Sequence, residues 1–366
     1  MKKFLSTFLK IAVSVALLAW LISMPENQEA FQRLVNQQPD WLPLGVAGVL
    51  VLSAVILTFI RWFWLVRTLG LPFTMSDAFR LGFLGFLLNF VSLGAVGGDV
   101  FKAFFLAKEQ KGRRPEAVAT VVLDRFIGLI ALVLIAALAT AAAGLYSYPE
   151  PEIRSMARIV IGAAVVIIGG IGVFLIPGFP PRSVINFLVN RPWLGPPMVR
   201  LLKGFQLYRR RPLVIVCCLL MGCGTHTLMA LAMYMISIGL PGEAPGVLLH
   251  LVVSPLAMLA GALPLPGGGL GALELAMNTL YREVAHYQEG LIVAFVYRAI
   301  TIIVAMIGLV YYLMGRKEID RTMKEAEEAQ EGSITKEPES GDDPQPAVKM
   351  TKQRSFKERI LLRKEA

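Results

Sequence analysis

Two glycine-rich stretches, GAVGGDVFK at residues 94–102 and PLPGGGLGALE at residues 264–274, interrupt long apolar runs of this sequence. Each stretch also carries an acidic side chain. Backbone that stops being helical inside a membrane leaves polar groups unsatisfied, so it is tolerated only where it is buried in protein or lines a watery cavity. A pair of such breaks, in corresponding places of two halves of a chain, indicates the binding region of a transporter.

The composition around these breaks is that of an integral membrane protein. Hydrophobic residues make up 55% of the 366 residues and charged residues 17%, and the mean hydropathy is +0.62. Several apolar windows approach the ~20 residues that a helix needs to cross a bilayer. The clear spans are 8–24, 41–66, 117–146, 157–177, 214–240 and 291–314, and the glycine-rich stretches lie in two further apolar segments, 78–106 and 247–281.

The charges of the loops decide how the two interrupted segments are threaded. Residues 178–212 hold seven basic and no acidic residues, and residues 107–114 carry a net positive charge, so both loops are expected in the cytoplasm. With a cytoplasmic N-terminus, this requires each interrupted segment to turn back at its glycines. The sequence therefore predicts an all-α polytopic membrane protein with about six full transmembrane helices and two re-entrant helical hairpins, which a count by hydropathy can report as eight.

Two units of similar length follow from this topology. Residues 41–146 and 214–314 each read span, hairpin, span, in opposite orientations, which predicts an inverted repeat; coincidence combined with a wrong loop assignment would give the same pattern. We expect residues 1–314 to form one transmembrane domain in the inner (cytoplasmic) membrane. Residues 315–366, with twelve basic and twelve acidic residues, are expected to form a charged, mostly disordered cytoplasmic tail.

Ionisable residues inside apolar spans are costly and usually functional. Arg61 lies near the inner end of its span and is expected to extend to the membrane interface. Asp99 and Lys102 share a helical face, so they either pair with each other or bind substrate at the break. Because neighbours on a helix point in different directions, one of Asp124 and Arg125 is expected to point inward, Arg125 toward Asp99, unless both lie at the interface.

The second glycine-rich stretch offers a complementary set of groups. Glu274 is expected in the first turn of a helix, either as a cap or as a counter-ion beside an anion. Arg298 is the deepest cation; its planar fork suits a phosphate or carboxylate, and the alternative is a pair with Glu274. Three further candidates for substrate binding expose backbone N–H groups, unless they serve close helix packing: Gly267, Gly268 and Gly269.

The sequence offers little for catalysis or for a cofactor. The three cysteines lie together in one apolar run at residues 217–223 and lack zinc partners at a suitable spacing, and the histidines are dispersed. We therefore expect no catalytic residues, no metal and no cofactor.

Four motifs in order give the chain a resemblance to a known family. They are Gly97-Gly98-Asp99 with Lys102, DRFIGL at residues 124–129, residues 264–271 with Glu274, and Tyr297-Arg298. Over roughly residues 5–315 the chain resembles the lysylphosphatidylglycerol synthase transmembrane (flippase-like) family, with aspartate at 124 where many members would have glutamate and lysine at 102 where arginine is expected. The resemblance implies an inner-membrane protein that moves lipids between leaflets. The full synthases also carry a soluble aminoacyl-transferase domain, for which the tail is too short.

These observations together predict a flippase-like translocase for an anionic membrane lipid or lipid-linked headgroup. One alternative is a membrane enzyme acting on a lipid-linked substrate, which the few carboxylates disfavour. Another is a non-catalytic membrane partner of a cell-envelope transferase. No nucleic-acid partner is expected, and the sequence lacks a nucleotide-binding loop, which leaves an ion gradient or downhill movement as the driving force. The lipid and the oligomeric state stay open.

Overall fold

The computed structural model describes residues 19–91, 97–110, 112–175, 208, 211–262 and 271–335. Within these ranges every regular element is helical. The α-helices are α1 (Pro25–Asn36), α2 (Trp41–Thr68), α3 (Met75–Val91), α4 (Gly97–Glu109), α5 (Arg114–Ala142), α6 (Pro151–Leu175), α7 (Pro212–Gly239), α8 (Val247–Ala262), α9 (Ala272–Ala285) and α10 (Gly290–Thr335), with one 3₁₀ turn at Leu145–Ser147.

Five of these helices are long and apolar enough to cross a membrane: α2, α5, α6, α7 and the Gly290–Gly315 part of α10. This confirms the prediction of a polytopic all-α membrane protein. The expected first span, residues 8–24, falls mostly outside the described residues, which begin with a helical segment at residues 19–23. The cytoplasmic orientation of the termini stays a prediction from loop charge.

The first interrupted segment forms an antiparallel helical hairpin. Its arms, α3 and α4, have 17 and 13 residues, fewer than the ~20 needed to span a bilayer. Near the break, the Gly98 N–H donates to Asn89 Oδ1 at 3.0 Å. At the open end, Gln110 Nε2 donates to the Pro72 carbonyl at 3.0 Å. The chain therefore leaves this hairpin at the end where it entered, and the break itself, residues 92–96, lies outside the described residues.

Glycine is required where the two arms of this hairpin cross. A Cβ atom on Gly98 would collide with the carbonyl oxygen of Gly85, and one on Gly85 would lie 2.5 Å from Lys102 Cε. The absence of both side chains lets the backbones touch.

The second interrupted segment forms a matching hairpin from α8 and α9, of 16 and 14 residues. Near the break, a Cβ atom on Gly261 would lie 3.2 Å from Leu273 Cβ. At the open end, the rings of His250 and Tyr281 are 5.3 Å apart, edge to face. The break, which includes residues 263–270, lies outside the described residues.

The two units have helices of matching length in the same order. In chain order the lengths are 28, 17, 13 and 29 residues in the first unit, and 28, 16, 14 and a membrane-length portion of 26 in the second. The leading helices α2 and α7 run antiparallel, since the Asp40 N–H at the start of α2 donates to the Gly239 carbonyl at the end of α7. The described helices thus have the order and opposite orientation expected of an inverted repeat.

Each hairpin packs on the other unit as well as on its own. The first arm of the first hairpin, α3, packs on α10 of the second unit, where Phe83 stacks on Tyr311 with ring centroids 6.1 Å apart. A Cβ atom on Gly308 would lie 2.9 Å from Leu87 Cβ, so this contact is also close. In the same way α8, the first arm of the second hairpin, packs on α5 of the first unit.

By internal packing the chain divides between Met323 and Lys324, outside both units of the repeat. Helix α10 continues to Thr335, beyond the position 314 at which the sequence suggests the end of the membrane domain. The rest of the predicted tail, residues 336–366, lies outside the described residues.

Candidate functional site

A charged cluster lies at the start of α4, next to the first break. Asp99 is the third residue of this helix, and its Oδ2 accepts a hydrogen bond from Nε of Arg125 on α5. Its Oδ1 lies 3.6 Å from Lys102 Nζ. The Asp99 side chain is 15% exposed and that of Arg125 45%. One carboxylate is therefore shared by two cations, and the more exposed cation presents its guanidinium at the surface of the protein.

Lys102 is held in place by aromatic rings as well as by Asp99. Its Nζ lies 5.9 Å from the ring centroid of Phe59 and 5.7 Å from that of Trp62, both on α2. Cation–π attraction at this range stabilises an ammonium that burial would otherwise penalise. The Lys102 ammonium thus lies between Asp99 and two aromatic rings while its stem lies across Gly85.

The second charged cluster lies at the corresponding place in the second unit. Glu274 is the third residue of α9; its Oε2 accepts from the Gly271 N–H at 2.8 Å, which caps the helix. Its Oε1 accepts from Arg298, at 2.8 Å from Nε and 2.7 Å from Nη2. Gly271 has φ +88°, a conformation that favours glycine. Both oxygens of Glu274 are engaged, and its side chain is only 2% exposed, against 22% for Arg298.

The two acid–arginine pairs occupy equivalent positions of the repeat. In each unit the acid is the third residue of the second hairpin arm, and the arginine follows on the next long helix, 26 residues later in the first unit and 24 in the second. The residue three positions after the acid is Lys102 in the first unit and the buried Met277 in the second. The first cluster therefore carries excess positive charge, whereas the second pair is neutral.

The residue before each arginine reaches the leading helix of its own unit. Asp124 binds Arg61 on α2, with Nε to Oδ1 at 2.7 Å. Tyr297 Oη donates to Met229 Sδ on α7 at 3.5 Å. The same junction is thus an ion pair in the first unit and a neutral contact in the second, which extends the difference in charge between the units.

The prediction that Arg61 extends to the membrane interface is wrong. Its side chain is 4% exposed, and it lies seven residues, or about 10 Å, before the end of α2, too deep for the charge to reach water. Room for its guanidinium comes from glycines on two facing helices: a Cβ atom on Gly128 would lie 3.4 Å from Nη2, and one on Gly222 3.1 Å from Nη1. Pairing with Asp124 replaces the missing water. The position of Arg61 inside the apolar run at 41–66 was the signal in the sequence for this burial.

The structure brings most of the sequence-predicted residues into the two clusters. Contact of Arg125 with Asp99 is confirmed, as is the pairing of Asp99 with Lys102. Glu274 caps α9 and binds Arg298, so both structural alternatives apply there. The backbone candidates Gly267–Gly269 lie outside the described residues. The two clusters are separate: Leu87, beside the Gly98 crossing, packs at Gly308 of α10, and Arg298 lies ten residues earlier, about 15 Å along the helix axis.

Comparison with known proteins agrees with the motifs. The family model described as the lysylphosphatidylglycerol synthase TM region matches residues 7–308. No curated protein and no solved structure matches the chain. The match covers most of the chain and both hairpins with their charged clusters, and the chain therefore belongs to the lysylphosphatidylglycerol synthase transmembrane-region family.

Proposed function

We propose that this protein is a flippase-like translocase that moves an anionic lipid, or a lipid-linked anionic headgroup, between the two leaflets of the inner membrane. Family membership supports an integral membrane protein of the lysylphosphatidylglycerol synthase transmembrane-region family, in keeping with this proposal. Two short-armed hairpins in oppositely oriented units are the architecture in which transporters place their substrate site. The headgroup would pass the broken helices while the acyl chains stay in lipid.

The observation that carries this proposal is the charge of the first cluster. The side chains of Asp99, Lys102 and Arg125 together carry a formal charge of +1, which attracts an anion. Arg125 offers a planar fork of donors that matches two oxygens of a phosphate, and it is the most exposed member of the cluster. The N-terminus of α4 adds the positive end of its helix dipole.

The second cluster has a lesser role in this proposal. Arg298 keeps donors that Glu274 does not use, and these would provide a second contact for the headgroup. Backbone donors from Gly267–Gly269, which lie outside the described residues, remain part of this proposal as a prediction from the sequence. Its attraction for an anion is weaker, because Glu274 already neutralises it. The first cluster is therefore proposed as the main binding site.

The proposal is tested by scrambling of labelled lipids in reconstituted vesicles. The full chain is inserted into vesicles that contain a trace of fluorescent phosphatidylglycerol or fluorescent phosphatidylcholine, and the fraction accessible to an external quencher is followed over time. We expect faster exchange of the anionic lipid, and a loss of at least about tenfold in Arg125→Gln, since one charged bidentate contact is worth about that factor or more.

The control is Arg282→Gln. Arg282 is also an exposed arginine paired with an acid, Glu283 at 3.3 Å, but it lies near the end of α9 away from both breaks. This variant should exchange lipid like the wild type. Equal exchange of both lipids, unchanged by Arg125→Gln, would contradict the proposal and favour a role as a partner of another envelope protein.

A further inference from the structure

We propose that Asp99 is an exchangeable internal ligand of Arg125: when an anionic headgroup binds Arg125, the Asp99 carboxylate passes to Lys102. The inference rests on the proposed function, and it assigns Lys102 a distinct role, that of receiving Asp99. In this scheme the Asp99 carboxylate occupies the anion site on Arg125 in the empty protein, and it leaves that site when a lipid headgroup binds.

Geometry allows this exchange in the first cluster. Asp99 already lies between its two cations, with Oδ2 on Arg125 and Oδ1 3.6 Å from Lys102 Nζ. The distance to Lys102 exceeds that of a close ion pair, so a small side-chain rotation toward the lysine would shorten it. Asp99 and Lys102 lie one turn apart on α4, so the carboxylate can pass to the lysine without movement of a helix.

The charges also favour the exchange. With Asp99 alone, the cluster carries two positive charges and one negative charge. A phosphodiester headgroup adds one negative charge, after which Arg125 pairs with the phosphate and Lys102 with Asp99. The formal charges of the three side chains and the headgroup then sum to zero, and Asp99 keeps a cationic partner after it leaves Arg125.

The second unit shows what the exchange requires. Glu274 occupies the position equivalent to Asp99, but the residue three positions later is Met277, which offers no cation. Its second oxygen is tied to the Gly271 N–H at 2.8 Å, and the carboxylate is sealed from solvent. Release of Arg298 would leave Glu274 as a buried unpaired charge, so this pair is expected to stay closed. At this position the two units share an acid–arginine pair, and only the first unit has a cation, Lys102, that can receive the carboxylate.

The test measures lipid binding to the full-length protein in detergent by native mass spectrometry, with phosphatidylglycerol as the anionic probe and phosphatidylcholine as the zwitterionic one. We expect Asp99→Asn to raise the affinity for phosphatidylglycerol about tenfold, because the internal competitor loses its charge. Glu283→Gln, which removes the charge beside the exposed Arg282 away from both breaks, should give no such gain. Thermal unfolding of each variant checks that it is folded.

A double-mutant cycle separates the two possible roles of Lys102. If Lys102 receives Asp99, Lys102→Met should weaken binding of phosphatidylglycerol about tenfold in the wild type and much less in Asp99→Asn. If Lys102 binds the phosphate directly, the loss should be the same in both backgrounds, which would overturn the proposal. Should Asp99→Asn fail to fold, Asp99→Ser replaces it in the cycle, and wild-type affinity of Lys102→Met refutes the exchange in either case.

The outcomes distinguish this inference from the proposed function. If Arg125→Gln abolishes the preference for phosphatidylglycerol while Asp99→Asn and Glu283→Gln behave alike, the exchange is refuted and the anion site stands. If the wild type shows no preference between the two lipids and Arg125→Gln changes nothing, the proposed function fails, and the exchange fails with it.

Discussion

Replacing Asp124 by leucine removes the partner of Arg61 and leaves a guanidinium buried between α2, α5 and α7. In the native protein Asp124 accepts from Arg61 twice, at 2.7 Å through Oδ1 and at 3.3 Å through its backbone carbonyl, and only the first contact is lost in the variant. The Nη1 atom already has no hydrogen-bond partner among the described residues. Removal of one partner from a buried pair typically costs about 3–5 kcal/mol, and we expect Asp124→Leu to lower the free energy of unfolding by that amount.

The double variant Arg61→Met with Asp124→Leu should recover most of this loss. Both charges are then absent and the volumes are similar, so stability within about 1 kcal/mol of the wild type is expected. Glu283→Gln is the exposed control; its pair with Arg282 should be worth less than about 1 kcal/mol.

Reversible unfolding of the protein in mixed micelles, followed by circular dichroism during a titration with a denaturing detergent, measures all four proteins. The reasoning is refuted if Asp124→Leu unfolds within about 1 kcal/mol of the wild type, because Arg61 would then have to reach water or another partner.

Three further predictions address the fold. Gly98→Ala should destabilise the protein by about 1–3 kcal/mol in the same assay, because its Cβ atom meets backbone at the hairpin crossing, whereas Gly162→Ala, in open space on α6, should be neutral or stabilising by up to about 1 kcal/mol; equal effects would contradict the crossing. In a background without native cysteines, Arg113→Cys should react with an impermeant thiol reagent only from the cytoplasmic face and Glu150→Cys only from the other face, and the reverse pattern would refute the loop assignment. Tyr297→Phe should lower stability by less than about 0.5 kcal/mol, since it loses only a weak contact to sulfur; a loss comparable to that of Asp124→Leu would show that the junction of the second unit is not neutral.

The spans and the hairpins could be predicted from the sequence because their signals are local. The apolar run at 41–66 became α2, Trp41–Thr68, and the glycines at 94–98 and 267–271 marked the breaks between short helices. The turning back of the chain in each interrupted segment followed from loop charge, whereas the orientation of the chain in the membrane stays a prediction. These features depend on the bilayer and the backbone, whose requirements are general.

The partners across the fold could not all be predicted. Arg61 and Asp124 are 63 residues apart, and hydropathy does not show which way each points around its helix. The difference between the two clusters was also missed, since Met277 in an apolar segment looks like ordinary core. It becomes informative only when the structure aligns it with Lys102. The pair of Arg298 with Glu274, 24 residues apart, could be predicted as one alternative, because Glu274 was expected at the start of a helix and Arg298 was the deepest cation of the next span.

The packing of each hairpin on the other unit has a consequence for biogenesis. Phe83 on α3 packs on Tyr311 of α10, which is about 230 residues later in the chain. At ~5–20 residues per second, synthesis of the intervening chain takes about 11–46 s. During that interval Phe83 can pack only within its own unit, where its ring centroid lies 4.9 Å from that of Phe59, and the surface of α3 that later packs on α10 lacks its partner. A half-length product would stay in this unfinished state, whereas two halves made separately in one cell should find each other and complete the packing that neither contains alone.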